Sequence, residues 1–401
     1  MRVSIVSAGR FHAYNLAEQL RKMGCLEHLY TGYPVAAIDV ELRPYARSFP
    51  WLYSVYKVAA RLGWRHVADR LSWPARDTFD RWASRQLDAA DLVVGLSGFG
   101  LHTGRTARNR GAVSVCDRGS SHIRYQDRLL AEEYALQGLP YKHIDRRVVE
   151  RELQEYAEAD LITVPSKFAY QSFIKEGVAP SKLTKVPYGV DLTMFRPLPK
   201  VDRQFRVVYV GQISVRKGIA YLLEAVCSRD LRSVDLVLIG NVEDEMKPVL
   251  ARYEGRFRYL GVMPRADLAR HYSQGSVFVI ASVEEGLALV QAQALACGLP
   301  VVATVNTGAE DLFSDGEEGF IVPIRDPAAI RERVLRLYEN PELRNAMSEN
   351  ALSRVRQMGG WDTYGAGILA AYQTALDKRS PCRASSGPST CLSDSASQSS
   401  N

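Results

Sequence analysis

Two acids and two cations in this chain stand where their spacing could do chemistry. Glu284 and Glu285 precede Gly286 in the string SVEEGLALVQAQALACGLP, residues 282–300. The run SVFVI before it is short, β-branched and aromatic, and reads as a buried parallel strand. Residues 287–296 read as a helix, stopped by Gly298-Leu-Pro300. The acids therefore occupy a turn from the carboxyl end of a strand to the amino end of a helix, where ligands sit in open α/β sheets. An acid there also suits a plain role as an N-terminal helix charge, worth about 0.3–1 kcal/mol. A second such turn, Gly211-Gln-Ile-Ser-Val-Arg-Lys-Gly218, follows the strand-like run at 205–210 and opens a helix with Leu222, Leu223 and Val226 facing inward. Helix N–H groups with Arg216 and Lys217 match a diphosphate. Preorganised cations of this kind stabilise charge growing on departing phosphate oxygens, and removing one such donor costs about 10²–10³ in rate.

Two histidines occupy similar corners. His122 ends the polar string Asp117-Arg-Gly-Ser-Ser-His122 after a strand at 112–116, where Ser120, Ser121 and the histidine could also simply cap a helix. His12 lies in Gly9-Arg-Phe-His12 after a strand at 2–8, as a site group or a satisfied surface histidine.

The pattern E-G-x-x-L-x-x-x-(E/Q)-A-x-A-C-G-x-P-V-V resembles the signature of the retaining nucleotide-sugar glycosyltransferases of family 4, also called glycosyltransferase group 1. The resemblance is strong over 207–323 and looser before residue 117. It implies an α/β protein of GT-B fold: two Rossmann-like domains facing across a cleft, with a C-terminal helix crossing back. It also implies that Glu285 holds hydroxyls of the donor sugar and that Gly286, Leu287, Ala288 and Leu289 line the donor site. Gln293 would contact the ribose, although the family has Glu there; Gln keeps hydrogen bonds but loses the charge and the bidentate carboxylate. Gly211 would shape the diphosphate turn, with Gln212 in the place of a family Arg and Lys217 matching its lysine. His122 would hydrogen-bond near the reacting carbon, and Gly9 and His12 would face the acceptor and the donor phosphates. Glu310 would sit under the nucleotide, with Thr307 replacing a family Gly; an acidic first turn of a helix is the structural alternative. Tyr188, in VPYGVDLTMFRP, stands where the family has Asn.

The implied reaction moves a hexosyl group from a UDP-, GDP- or ADP-sugar to a hydroxyl of a glycan or lipid-linked acceptor, with retained anomeric configuration. Polysaccharide, glycolipid or other glycoconjugate synthesis is the implied setting. No cofactor or metal is expected, since no Asp-x-Asp lies in a suitable turn, and the leaving phosphate takes the acceptor proton. A nucleotide-sugar epimerase is a competing reading; a phosphorylase would need a pyridoxal-lysine motif that is not present. A non-catalytic sugar-nucleotide-binding or membrane-scaffold protein is a third, kept open by Gln293, Gln212 and Tyr188.

The remaining chain supplies the frame. At 401 residues, with 46% apolar and 24% charged residues, it can form two domains with substantial cores. The strand–helix rhythm divides it into an acceptor-side domain at 1–198, a nucleotide-sugar domain at 204–360 and a crossing helix at 361–378. Residues 380–401 are Ser-rich and read as a disordered tail. Six cysteines without C-x-x-C fit a reducing cytoplasm. The amino terminus reads as a first strand rather than a signal peptide. No apolar run approaches the roughly 20 residues of a membrane span. Residues 43–85 hold four of the five tryptophans and nine Lys/Arg against three Asp, a net +6 that equals the charge of the whole chain. That texture suits peripheral attachment to an anionic membrane, on the inner face of the plasma membrane, or else amphipathic helices packing tryptophan inward. No recognition module points to nucleic acid.

Overall fold

The computed structural model describes residues 1–379, so the Ser-rich 380–401 lies outside the described residues. Short apolar runs build two sheets, and every strand pair in both is parallel. The first sheet contains β1 (Val3–Ser7), β2 (Leu26–Thr31), β3 (Ala46–Ser48), β4 (Leu92–Leu96), β5 (Val113–Asp117), β6 (Leu161–Val164) and β7 (Leu183–Lys185), in the order β3-β2-β1-β4-β5-β6-β7. The second contains β8 (Arg206–Val210), β9 (Asp235–Ile239), β10 (Arg258–Tyr259), β11 (Val277–Ile280), β12 (Val301–Thr304) and β13 (Gly319–Val322), ordered β10-β9-β8-β11-β12-β13. The central strands β1, β4 and β11 are buried along their whole length. Helices on both faces explain their continuous apolar runs, which alternation would not.

Strand order reverses between β1 and β4 in one sheet and between β8 and β11 in the other. At such a reversal the two connecting helices leave on opposite faces, and a crevice opens beyond the carboxyl ends. Val207 and Val208 of β8 pair with Val277 and Phe278 of β11, so the turns that follow these strands emerge side by side. Those are the turns carrying Arg216 with Lys217 and Glu284 with Glu285.

The last helix, Trp361–Arg379, lies on the first domain. Its Tyr364, Ile368 and Tyr372 are buried, Gly365 packs against Gln19, and Asp362 pairs with Lys22 at 3.0 Å. The tryptophan-rich stretch divides between its two readings. Trp82 stacks on Phe49 with ring centroids 5.0 Å apart, and Trp73 lies under Arg147 and Arg151. Trp51 and Trp64 face outward. Among the described residues no helix is long and apolar enough to cross a membrane, and Cys25, Cys116, Cys227 and Cys297 are free.

Candidate functional site

The turn after β8 ends at Gly218, whose φ of 63° belongs to the left-handed region and whose Cβ position would overlap Ala281. Glycine there lets the helix Ile219–Val226 begin tight against the end of β11, with Lys217 immediately before it. The turn after β11 is tied to this one by Val283 N–H donating to the Arg216 carbonyl at 2.9 Å. It is tied below by Glu285 N–H donating to Asn306 O at 3.0 Å, and Asn306 Nδ2 donating to Val283 O at 2.8 Å. The helix after it runs Leu289–Ala296, so Leu287 and Ala288 stay in the turn, two residues beyond the helical start read from sequence.

The four charged side chains meet. Lys217 Nζ contacts Glu285 Oε1 directly, and Arg216 Nη2 stands 3.7 Å from the same oxygen. Arg216 Nε donates to Glu284 Oε2 at 2.9 Å and to the Glu284 carbonyl at 3.1 Å. Burial, with Arg216 next, pushes the Lys217 ammonium down to about 7, while Glu284 pulls upward; the Glu285 contact acts in that same upward direction. Glu284 is fully buried, which works to raise its carboxyl, yet Arg216 and three side-chain hydrogen bonds hold it at about 2.

Those hydrogen bonds come from the other domain. Ser120 Oγ and Ser121 Oγ donate to Glu284 Oε1 at 2.8 and 2.6 Å, Ser121 N–H adds a third bond at 3.2 Å, and Gln126 Nε2 donates to Oε2 at 2.9 Å. Beside them the backbones touch: a Cβ on Gly286 would run into the Gly119 carbonyl, and Ser166 Oγ donates to Gly286 O at 2.5 Å. Glu284 thus bridges the two domains, as Glu133 with Arg325 and Asp311 with Lys185 also do. Its neighbour Glu285 is left to face Lys217.

His122 does not join this group. Its Nδ1 accepts from Arg124 N–H at 3.3 Å as the cap of the helix Ile123–Leu136, and its ring packs between Tyr156 and Phe173. Burial pushes it down to about 4. The ring is turned into the first domain's core, and Ser120 and Ser121 of the same turn reach across to Glu284.

His12 lies on the first-domain side of the cleft. Its Nε2 is 2.7 Å from Asp117 Oδ2, Tyr188 packs on its ring at 4.5 Å between centroids, and the phenol oxygen is 3.1 Å from Nδ1. Gly9 is tucked beneath, its Cβ position blocked by Phe11 and its carbonyl accepting from Ser7 Oγ at 2.7 Å. A cavity of about 480 Å³ lies alongside, lined by Phe11, His12, Arg76, Asp117 and Arg118 and, from the second domain, Arg216. A larger depression of about 810 Å³ lies at the amino ends of β4 and β5, beside Asp91, Arg110 and Arg379, away from the strand ends where the charged groups gather.

The remaining donor-side positions are placed as follows. Gln212 is exposed, with Nε2 donating to Glu243 Oε1 at 2.5 Å, and Gly211 begins the turn. Gln293 is buried, and its Oε1 accepts from the Tyr272 hydroxyl at 3.2 Å. Glu310 pairs with Lys167 of the first domain at 2.7 Å, in a short helical turn, Ala309–Asp311. Among the described residues no group of three or more His, Cys, Asp or Glu is placed to hold a metal ion.

Residues 191–354 match the family model of glycosyl transferases group 1. Over this segment the chain is similar to the group 1 glycosyl transferases. The match covers the second sheet and both charged turns. Among curated relatives, the D-inositol 3-phosphate glycosyltransferase of Frankia alni is 28% identical over 221 residues, covering 49% of this chain and 54% of that one. The phosphatidyl-myo-inositol mannosyltransferase of Mycolicibacterium smegmatis is 28% identical over 203 residues, covering 48% and 52%. The chain spans about half the length of the curated relatives it matches. Among solved structures, sucrose-phosphate synthase from Thermosynechococcus elongatus superposes with a TM-score of 0.70 at 19% identity, over 94% of this chain and all (100%) of that one. HepE from Anabaena, in complex with UDP, gives 0.67 at 16% identity over 93% and 100%. These likenesses agree with the two facing sheets: the fold is GT-B.

Proposed function

We propose that this protein is a retaining hexosyltransferase that takes its sugar from a nucleotide-diphospho-sugar and passes it to an acceptor hydroxyl. The observation that carries the proposal is the meeting of two corners: Arg216 and Lys217 at one helix amino terminus stand against Glu285 at the next. The diphosphate of a UDP-, GDP- or ADP-sugar fits the first corner, where two cations and helix N–H groups face one point. Glu285, released from Lys217 as the diphosphate takes over that cation, orients the hexose by its hydroxyls; this contribution is positional. The bond from the anomeric carbon to the phosphate oxygen breaks, and the acceptor oxygen bonds to the same face. The acceptor proton goes to the leaving phosphate, whose growing charge Arg216 and Lys217 offset. Gln293 keeps a hydrogen-bonding edge for the ribose, Gly286 to Leu289 and Gly211 with Gln212 line the donor, and Glu310 closes the nucleotide side. Gly9 and His12 hold the acceptor side.

The acceptor is a glycan or lipid-linked molecule in glycoconjugate synthesis, met at the cytoplasmic face of a membrane. One relative is named for a lipid of this class, phosphatidyl-myo-inositol.

A second reading, a sugar-nucleotide-binding protein without transfer, draws on Gln293, a neutral group held by Tyr272. Incubation with radiolabelled UDP-, GDP- and ADP-sugars separates the two. Transfer to acceptor, or slow release of free sugar without one, supports the enzyme. Nucleotide binding with neither release nor transfer supports the binding protein.

A further inference from the structure

The charges lining the cavity of about 480 Å³ beside His12 are matched, with one exception. Asp117 is held by His12 and Thr163, Arg118 pairs with Glu152, and Arg216 pairs with Glu284. Arg76, in the helix Arg65–Gln86, lines the same cavity and makes no ion pair among the described residues. The acids near it in sequence are engaged elsewhere: Asp77 by Arg81, His102 and Arg151, and Asp80 by Arg151. Its side chain is nonetheless half-buried. A guanidinium drawn out of water without a counter-charge is unfavourable until an anion meets it.

The surroundings of Arg76 hold it in one place. Its guanidinium lies over the Phe99 ring, with Cζ 4.6 Å from the centroid, and Tyr53 and Phe79 stand edge-on to that ring at 6.1 and 6.2 Å. Gly98 makes room beside it: a Cβ there would come within 2.9 Å of Arg76 Nη1, and its φ of 86° suits glycine alone. The loop carrying Gly98 and Phe99 is pinned by two buried acids of the helix Arg146–Glu158. Glu155 accepts from Gly98 N–H at 2.6 Å and from Gly100 N–H at 3.0 Å, and Glu152 accepts from Ser97 Oγ at 2.8 Å. Stacking occupies a face of the Arg76 guanidinium and leaves its donor fork uncommitted. The Arg118 fork, by contrast, is filled by Ser121 O, Glu152 and Gln126 at 3.0, 2.6 and 2.9 Å.

We propose that Arg76 is the anion-binding residue of this cavity, and that the ligand is a sugar-like ring bearing a phosphate or a carboxylate. The planar fork of an arginine pairs with two oxygens of either group. Leu96, Ile123 and Val148 supply an apolar wall, and the exposed ring of Phe11 offers an aromatic face to the C–H side of such a ring. A neutral ligand would leave the guanidinium unpaired, and a cationic one would meet like charge. Arg216, which stands beside Glu285, lines the cavity too, so the ligand sits against the donor corner. Identifying this ligand as the acceptor rests on the proposed glycosyl transfer; the anion site itself does not.

Calorimetry on the full chain with glucose, glucose 6-phosphate and glucuronate compares a ring without an acid, with a phosphate and with a carboxylate. At least one of the two acids is expected to bind about ten- to a hundredfold more tightly than glucose, the worth of charge-assisted hydrogen bonds. The tighter acid identifies the group. Arg76→Met, which keeps an unbranched chain over Phe99, is expected to bring that acid down to the level of glucose. Arg76→Lys, which keeps the charge and loses the fork, is expected to fall between the two. Melting without ligand shows which variants fold, and the lysine variant carries the comparison where the methionine variant does not. Equal binding of the three sugars, or binding of none, overturns the proposal. So does acid binding that Lys217→Ala abolishes and Arg76→Met leaves intact, because the anion then lies at the diphosphate corner. Acid binding through Arg76 in a protein that no nucleotide sugar stabilises upholds the anion site and removes the acceptor reading.

Discussion

The turn after β1 and the turn after β8 hold equivalent places in their sheets, each where the strand order reverses, yet they carry opposite kinds of polar group. After β8 Arg216 and Lys217 stand against Glu284 and Glu285 of the turn after β11. After β1 a single histidine is held between an acid and a phenol, His12 with Asp117 and Tyr188. Opposed charges can be pulled apart by an arriving polyanion, whereas a hydrogen-bonded imidazole with an aromatic face fixes orientation. On the proposed function, the second domain receives and releases the diphosphate and the first holds the acceptor side still.

Within the charged turn the two acids divide the work. Glu284, fully buried, receives Ser120, Ser121 and Gln126 from across the cleft; Glu285 keeps some exposure and contacts Lys217. Arg216 touches both and links domain contact to the donor corner.

The largest effects should fall on the charged turn. Lys217→Ala and Glu285→Ala are each expected to lower kcat/KM by about 10²–10³ with the melting transition intact. Wild-type turnover in either removes that turn from the chemistry. The contrast with His122 is tested by pH rather than by rate. Its folded form resists protonation down to about 4, against 6.5 for a free histidine, so the unfolded chain binds the proton first as pH falls. Stability should therefore decline between pH 6.5 and 4, by about 3 kcal/mol in all. Urea melts at the two ends of that window check it, and His122→Asn, which keeps a cap, should flatten the slope.

A smaller effect is expected from Glu284→Ala, about 1–3 kcal/mol. The lower part of the range for a broken buried pair applies because the Arg216 side chain keeps 33% exposure. Scattering in solution should show a larger radius of gyration as the two domains part, and Glu284→Gln should restore most of the closure. An unchanged radius in Glu284→Ala would deny that this acid binds the domains together. The smallest effect belongs to the first turn. His12→Asn should slow transfer about tenfold, one hydrogen bond's worth, and leave acceptor-independent hydrolysis of the donor untouched. Equal loss of both would place His12 with the donor and erase the contrast.

The two charged turns were legible because each is a local string, a β-branched run, a glycine turn and a helix, and parallel pairing of β8 with β11 brings them together. The partners of Glu284 were not, since Ser121 lies 163 residues away and only the docked domains reveal the bond. For His122 a position before a helix suits a cap and a site equally in sequence; the structure shows the cap, with the ring packed on Tyr156 and Phe173. Tyr188 looked like the loss of a family asparagine, but it is the residue that covers His12. The tryptophans between 43 and 85 shared one composition but divide between core and surface, which helical phase settles and content does not.

The decisive measurement is a crystal of this protein soaked with a hydrolysis-resistant nucleotide sugar. The diphosphate should lie against Arg216 and Lys217 at the start of the Ile219–Val226 helix, with Glu285 turned from Lys217 onto the hexose hydroxyls. A nucleotide bound elsewhere, with the Lys217–Glu285 pair undisturbed, would contradict the account.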